Sequence, residues 1–253
     1  MCTLTLAWRA FEDAPVVVAA NRDELLDRES EPPAVVDGDP SFVAPRDAVA
    51  GGTWIGYNEH GVFVGLTNRW VDVPDGGERS RGLLVRDALR AESAVDAREA
   101  IEHAVAADTY DGFHLVVAER GGDDPRAYFF EWDGSLNVRR LTPGVHVVVN
   151  VGIDGEFVEP EWRPEVGAIQ AHNAQQVRTE LDSRKWDSAS AWLDRAKEVL
   201  GTHEYGVCVH ESDRDFGTRS SSLITLSADG DAEFQFADGA PCDTAFDRVE
   251  GQI

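Results

Sequence analysis

The order of strand-like and helix-like segments is the feature that most constrains how this chain can fold. Residues 3–8 alternate polar and apolar side chains, as a half-buried strand does, and residues 16–20 form a continuous apolar run typical of a strand covered on both faces. The two runs flank a turn and predict a hairpin with Cys2 at its outer end. We predict further strands near 53–58, 61–67, 113–119, 126–132, 145–150, 205–210, 217–226 and 232–237. Helix-favouring segments cover 82–91, 93–107 and 159–200, the last with a break near 180–188.

This order reads as strands, helices, strands, helices and strands, with the helices confined to two blocks. Such an order favours an α+β fold, specifically an αββα four-layer sandwich of two mostly antiparallel sheets covered by helix layers. A doubly wound fold requires strict βαβ alternation, which the pattern lacks, and no GxGxxG or P-loop sequence opens a helix. We find no internal repeat or linker and predict a single domain spanning residues 1–253.

The charge of the chain is extreme, with 47 acidic residues against 23 basic ones and a net charge of −24. The acidic residues occur along the whole chain, which we interpret as the surface of a protein from the acidic proteome of a halophile, where salt screens self-repulsion. The same charge argues against nucleic acid or an anionic membrane as a partner. Because the chain has neither a membrane-spanning apolar run nor a secretory leader pattern, we expect a cytoplasmic protein.

The three cysteines do not form a disulfide framework, since they cannot all pair within one chain. Cys208 and His210 could supply two metal ligands, but they lie in the apolar run 205–210, which we interpret as a strand. We therefore expect Cys208 to be a buried structural residue and predict no metal site. Cys242 follows a proline in a polar tail and has no predicted role.

Cys2 is the first candidate for chemistry. Methionine is usually removed before a small residue, and removal of Met1 would leave a thiol and a free α-amine on the same residue. The amine has a reference pKa of about 7.7–8.0, so its neutral form can accept the thiol proton and generate a nucleophilic thiolate near neutral pH. The alternative is that Cys2 merely starts an apolar strand.

Four polar residues, Asn21 to Glu24, continue the buried strand that begins at residue 16. Burying such groups unpaired costs several kcal/mol, so they are expected to have partners. In an extended strand Asn21 and Asp23 share one face, and pairing with strand 3–8 would bring Asp23 near the chain end, where it could hold the α-amine. The alternative is a structural cluster of arginine and carboxylates.

Three later segments also place polar residues next to apolar strands. Asn68 ends the run 61–67, and its amide could donate to an oxyanion. Asn150 ends the run from residue 145, and Arg219 lies in the small polar segment 217–222. Each is more often a strand-end cap than part of a site, but together with Cys2 and Asp23 they form a more specific set.

The ordered set of motifs resembles the NRDE family, also called the transport and Golgi organisation family. The resemblance is carried by Met1-Cys2, Asn21-Arg22-Asp23-Glu24, Gly51-Gly52-Thr53-Trp54, Leu66-Thr67-Asn68 and Gly217-Thr218-Arg219-Ser220. It extends to about residue 240 and implies the fold of N-terminal-nucleophile hydrolases. A more distant similarity links the chain to cysteine acylases of that fold, the bile-salt and penicillin V amidases.

That similarity implies a role for each matched position. Cys2 corresponds to the nucleophile, Asp23 to the aspartate that holds its amine, and Asn68 to an oxyanion-hole asparagine. Asn150 corresponds to a second active-site asparagine and Arg219 to a late arginine near the nucleophile. The implied supporting residues are Asn21, Arg22, Glu24 and Trp54. One position departs from the acylases, which have arginine where this chain has Ala20; Arg22 lies on the same strand face.

Three hypotheses for function follow, of which the third has the least support in the sequence. The first is a hydrolase of a carbon–nitrogen bond in a linear amide, with Cys2 as nucleophile and no metal or organic cofactor. The second is a non-catalytic binding or trafficking protein on the same scaffold, with haem or an acyl or lipid compound as its ligand. The third is a structural or redox role for an exposed thiol. The expected partner is a small amide or hydrophobic molecule, and the sequence predicts no oligomeric state.

Overall fold

The computed structural model describes residues 2–74 and 76–253, so Met1 and its predicted removal lie outside the described residues. The strands are β1 (Thr3–Trp8), β2 (Val16–Leu25), β3 (Ser30–Val36), β4 (Phe42–Asp47), β5 (Ile55–Asn58), β6 (Val62–Asn68), β7 (Phe113–Glu119), β8 (Ala127–Trp132), β9 (Leu136–Arg140), β10 (Gly144–Val149), β11 (Gly152–Ile153), β12 (Glu156–Phe157), β13 (His210–Glu211), β14 (Phe216–Leu226), β15 (Ala232–Ala237) and β16 (Asp247–Arg248). The helices are α1 (Arg81–Ala88), α2 (Ala94–Ala107), α3 (Pro164–Glu180) and α4 (Ala189–Gly201).

The described residues form two compact units, each built on one antiparallel sheet. The first unit comprises Met1–Arg28 and Pro143–Val249, and the second comprises Glu29–Thr142 and Glu250–Ile253. Strand order is β12-β11-β10-β1-β2-β14-β15-β16 in the first sheet, with β13 on β14, and β3-β4-β5-β6-β7-β8-β9 in the second. The predicted α+β class with two antiparallel sheets is confirmed, while a single domain over 1–253 stays a prediction.

In the first unit, the predicted hairpin of β1 and β2 lies in the middle of the sheet. Its residues 16–19 are fully buried, as the continuous apolar run requires. Helix α3 packs on β10 and α4 packs on β2, so both helices lie against strands that flank β1. Strand β2 also pairs with β14, and a register shift between Thr218 and Ser220 makes Arg219 the extra residue of a β-bulge.

In the second unit, helices α1 and α2 cover one face of the sheet. The predicted cap of α2 is present, because the Ser93 hydroxyl accepts a hydrogen bond from the Asp96 backbone N–H. Ala97 and Ile101 of α2 are fully buried, and they share a cluster with Phe113 and Leu115 of β7. Alternate residues of the strands and one stripe of the helix therefore build this core.

The structure corrects the prediction of a strand at 205–210, where regular pairing is limited to His210–Glu211. The preceding residues turn instead, with the Gly206 N–H donating to the His203 carbonyl at 3.1 Å. Gly206 has φ +60, and a Cβ at this position would approach Asn173 Nδ2 to 2.3 Å, so glycine is needed here. Strands β3 and β4 were not predicted, since prolines interrupt both, and β9 was not predicted because it is short and has only two apolar residues.

The charge and hydropathy pattern predicted no membrane-spanning segment. Within residues 2–74 and 76–253, the helices all fall short of the length and apolar character that crossing a membrane requires.

Candidate functional site

The structure brings Cys2, Asp23 and Asn150 together at one end of the first unit's sheet. Thr3, next to Cys2, pairs with Val149 on one side and with Asn21 on the other. The backbone nitrogen of Cys2 donates to Asn150 Oδ1 at 3.0 Å, and Cys2 Sγ lies 3.6 Å from the Asp23 carbonyl oxygen. The three groups meet because β1 runs antiparallel to both β2 and β10, so the beginning of β1 lies beside the ends of the other two strands.

The Asn150 side chain is held in one orientation. Its Oδ1 accepts from Cys2 N and, also at 3.0 Å, from Nε2 of Gln170 on α3. Both side chains are buried, Asn150 at 2% exposure and Gln170 at 1%. Because two donors converge on the oxygen, the Nδ2 end of the amide, which can only donate, faces away from them. Gln170 was not predicted from the sequence, because nothing there distinguishes it from the other polar residues of α3. Only the packing of α3 on β10 brings it to Asn150.

Asp23 is buried and receives a hydrogen bond from a neighbouring strand. The Thr218 hydroxyl donates to Asp23 Oδ1 at 2.6 Å and accepts from the Val209 backbone N–H at 2.8 Å. Since the N–H of Val209 occupies the acceptor side of the hydroxyl, its single proton is directed to the carboxylate. Thr218 lies within the quoted motif 217–220, but the sequence reading assigned a role only to Arg219.

The environment keeps the Cys2 thiol protonated in the absence of a base. Burial raises the pKa of the Cys2 thiol, and the nearby negative charge of Asp23 raises it further. Burial also raises the pKa of the Asp23 carboxyl, an effect that the Thr218 hydrogen bond opposes. A thiol in this setting needs a proton acceptor before it can act as a nucleophile.

Arg22 lies in this region but is bound to Glu24. Its side chain is 7% exposed, and its Nη2 lies 3.6 Å from Glu24 Oε2. Burial and the Asp23 charge raise the pKa of Cys2, while the charge of Arg22 lowers it. Arg22 is thus close enough to affect the thiol electrostatically, and it shares a strand face with Ala20 by the two-residue period of β2.

Asn21 has a different set of partners from Asp23. Its Nδ2 donates to the backbone carbonyls of Leu200 at 3.1 Å and Val207 at 2.9 Å. These bonds tie β2 to the end of α4 and to the turn segment that follows it. The described contacts of Asn21 are therefore those of a residue that supports the strand.

Arg219, in the bulge of β14, is directed toward a different carboxylate. Its Nη1 lies 3.4 Å from Asp238 Oδ1, at a partly exposed position. Arg219 also lines a cavity of about 250 Å³ with apolar walls that include Leu26, Val209 and Phe216. The described contacts place its charge beside this cavity rather than on Cys2.

Asn68 and Trp54 belong to the second unit. Asn68 is the last residue of β6 and pairs with Phe113 of β7. The Trp54 carbonyl accepts from the Leu66 N–H at 2.9 Å, just before β5 begins. The position of Asn68 at a strand end is as the sequence predicted, and its role in an oxyanion hole stays a prediction.

A second group of reactive side chains lies elsewhere in the first unit. His203, Cys208, His210 and Cys242 each offer one ligand atom, and the four atoms lie within 4.8 Å of one another. From the sequence we considered Cys208 and His210 as two possible metal ligands, but we preferred a buried strand there and predicted no metal site. The structure adds His203 and Cys242 to them, which sequence spacing alone did not indicate.

Comparison with protein families and curated proteins identifies relatives along most of the chain. A family model described as transport and Golgi organisation 2 matches residues 1–237. The Bos taurus protein named transport and Golgi organization protein 2 homolog is 27% identical over 249 residues, covering 87% of this chain and 84% of that protein. The Homo sapiens homolog is 28% identical over 154 residues, covering 58% of this chain and 53% of that protein.

Comparison with solved structures identifies the fold. Penicillin V acylase from Agrobacterium tumefaciens aligns with a TM-score of 0.54 at 13% identity, covering 94% of this chain and 83% of that chain. The Caenorhabditis elegans ortholog of N-acylethanolamine-hydrolyzing acid amidase aligns with a TM-score of 0.54 at 16% identity, covering 88% of this chain and 92% of that chain. A mutant conjugated bile acid hydrolase from Clostridium perfringens aligns with a TM-score of 0.56 at 11% identity, covering 94% of this chain and 89% of that chain. The predicted fold of N-terminal-nucleophile hydrolases is confirmed.

Proposed function

Because this chain belongs to the transport and Golgi organisation 2 family and has the fold of amide hydrolases, we propose that it is a cysteine amidohydrolase. Its substrate is a linear amide, and its nucleophile is Cys2 after removal of Met1. The observation that carries the proposal is the convergence of Cys2, Asp23 and Asn150, with Cys2 N donating to Asn150 Oδ1 at 3.0 Å.

The first step is attack of Cys2 Sγ on the substrate carbonyl carbon. The thiol is protonated, because burial and the Asp23 charge raise its pKa. The α-amine of a trimmed Cys2 accepts this proton as the sulfur–carbon bond forms, and it returns the proton to the departing amine as the carbon–nitrogen bond breaks. A thioester remains on Cys2. Water then attacks the thioester with the amine again as base, releasing a carboxylic acid and restoring the thiol.

Asp23 and Thr218 position the amine in this scheme. The Cys2 nitrogen that hydrogen-bonds to Asn150 is the same atom that becomes the α-amine when Met1 is removed. Asp23, fixed by the Thr218 hydroxyl at 2.6 Å, supplies the negative charge that stabilises the ammonium form after proton transfer. These contacts support a role for Asp23 in orienting the base.

Asn150 is the candidate donor to the oxyanion. Its oxygen is occupied by the donors of Cys2 and Gln170, which directs the Nδ2 group, the donor end, elsewhere. A preorganised amide donor of this kind contributes about 10²–10³-fold in rate when it reaches the developing charge. Asn68 is the second candidate, on the evidence of the sequence resemblance. Arg22 or Arg219 is proposed to bind or orient a substrate carboxylate.

A panel of N-acyl amides of varied chain length and headgroup tests this proposal. Wild-type protein should release amine from at least one member, and Cys2→Ala should abolish the release. Val49→Ala is the control, because it shortens an exposed side chain that neither proposed site uses and should leave turnover unchanged. Turnover that survives in Cys2→Ala would contradict the proposal.

A second candidate function is non-catalytic binding of an acyl or haem ligand. The observation that favours it is the apolar cavity of about 250 Å³ in the first unit, beside Arg219. An apolar tail would contact Leu26 and Phe216, and a carboxylate would pair with the guanidinium. Calorimetric titration with fatty acids, acyl-CoA and haem tests it, and Arg219→Gln should weaken binding of a carboxylate ligand.

A further inference from the structure

His203, Cys208, His210 and Cys242 form a cluster that the proposed hydrolase chemistry does not use. His210 Nε2 lies 3.6 Å from Cys208 Sγ and 3.2 Å from Cys242 Sγ. The imidazoles of His203 and His210 contact edge to face, with centroids 5.1 Å apart. All four ligand atoms lie within 4.8 Å of one another.

The two sulfur–nitrogen separations at His210 are close to what a tetrahedral metal requires, and the other ligand atoms are no more than 4.8 Å apart. With metal–sulfur bonds of about 2.3 Å and metal–nitrogen bonds of about 2.0–2.1 Å, ligand atoms in a tetrahedron are about 3.3–3.8 Å apart. The 3.6 Å distance between His210 Nε2 and Cys208 Sγ falls inside this range, and the 3.2 Å distance to Cys242 Sγ lies about 0.1 Å below it. A set of two thiolates and two imidazoles is typical of structural zinc sites and is softer than the ligands that magnesium or calcium prefer.

The backbone holds the ligands from two separate segments. The turn closed by the 3.1 Å bond from Gly206 N to the His203 carbonyl brings His203 back toward Cys208 and His210. Cys242 lies 32 residues beyond His210, in a turn where Asp243 N donates to the Ala240 carbonyl at 3.0 Å. A bound ion would therefore link the segment after α4 to the segment after β15.

The segment that the cluster would hold also supports the candidate active site. Val209, between Cys208 and His210, donates its N–H to the Thr218 hydroxyl, which in turn donates to Asp23. The Val207 carbonyl accepts from Asn21. An ion on the cluster would fix the backbone from which both contacts are made, so its role would be structural.

We propose that His203, Cys208, His210 and Cys242 form a structural site for a divalent, thiol-preferring metal ion of the zinc class. The site holds the segment 203–210 and the segment after β15 in place, and it is separate from the nucleophile at Cys2.

Cobalt titration of the full-length protein in high-salt buffer with a non-thiol reductant tests the proposal. Wild-type protein should bind one Co²⁺ with the visible bands of tetrahedral cobalt and a thiolate charge-transfer band, and one equivalent of Zn²⁺ should displace it. His203→Ala, His210→Ala and Cys242→Ser change side chains that are exposed or half-buried, so they should fold. Each should weaken binding more than about 100-fold, since changes outside the ligand shell alone cost about 10–100-fold.

Two control variants distinguish cobalt bound at this cluster from cobalt bound by other cysteine or histidine side chains. Cys2→Ser removes the remaining cysteine, and His60→Ala removes an exposed histidine outside the cluster; both should bind cobalt as wild type does. The proposal would be overturned by octahedral cobalt spectra without a thiolate band, or by unchanged affinity in His203→Ala and Cys242→Ser. A Cys208–Cys242 disulfide that persists in the reductant would contradict it equally.

Discussion

Replacing Thr218 by valine isolates the contact that holds Asp23. The substitution keeps the shape of the side chain and removes the hydroxyl that donates to Asp23 at 2.6 Å and accepts from Val209 N at 2.8 Å. A hydrogen bond to a charged group contributes about 1.5–3 kcal/mol, and a buried N–H left unpaired costs about 1–3 kcal/mol. We expect Thr218→Val to lower the free energy of unfolding by about 2.5–6 kcal/mol near pH 7.

The pH dependence of this loss distinguishes the contact to Asp23 from ordinary packing. When the ionised Asp23 carboxylate loses a hydrogen bond worth about 1.5–3 kcal/mol, the pKa of its carboxyl group rises by about one to two units. Burial already holds the Asp23 pKa above its usual range. A carboxyl group whose pKa is higher in the folded than in the unfolded protein stabilises the fold at pH values below its unfolded pKa of about 3.9. That stabilisation is lost as the pH rises through the pKa of the folded state. The destabilisation by Thr218→Val should therefore be larger at about pH 8 than at about pH 5.

Urea unfolding at the two pH values measures this difference, and Thr5→Val is the matched control. The Thr5 hydroxyl is equally buried in a strand and donates to the neutral Ala19 carbonyl at 2.8 Å. Its loss should cost about 0.5–1.5 kcal/mol with no dependence on pH in this window. Equal, pH-independent losses in Thr218→Val and Thr5→Val would refute the reasoning.

Three further predictions test other parts of the account. Gln170→Leu removes one of the two donors that orient Asn150, so probe labelling of Cys2 should slow, whereas the exposed Gln175→Leu on the same helix should label at the wild-type rate. Ser93→Ala removes the cap of α2 and should lower the free energy of unfolding by about 1 kcal/mol in urea titrations, which Ser93→Thr should largely preserve. Because the net charge is −24, the thermal midpoint should rise as KCl screens self-repulsion; a midpoint that falls with salt would argue against a halophilic surface.

The sequence was informative where a pattern of polar and apolar residues predicted both a strand and the strand that pairs with it. The alternation in 3–8 and the apolar run 16–20 predicted β1, β2 and their pairing, although β1 is buried on both faces and not on one as the alternation indicated. Asp23 and Asn150 lie near Cys2 because β2 and β10 both run antiparallel to β1, so that their ends flank its beginning. The cap at Ser93 predicted the start of α2 for a similarly local reason.

The sequence was uninformative where function depends on docking between distant segments. Gln170 is one of several polar residues in α3, and only the packing of α3 on β10 places it on Asn150. Thr218 required the register of β14 against β2, which the bulge at Arg219 shifts by one residue. The segment 205–210 has the composition of a strand, but the turn at Gly206 overrides that propensity.

Mass spectrometry of the protein after reaction with an acyl-amide electrophile tests the central claim most directly. The account predicts that the intact protein lacks Met1, gains one acyl group, and carries it on the N-terminal peptide at Cys2 Sγ. A protein that retains Met1 would contradict the account, because Cys2 would then have no α-amine to serve as the base. Acylation confined to Cys208 or Cys242 would contradict it as well.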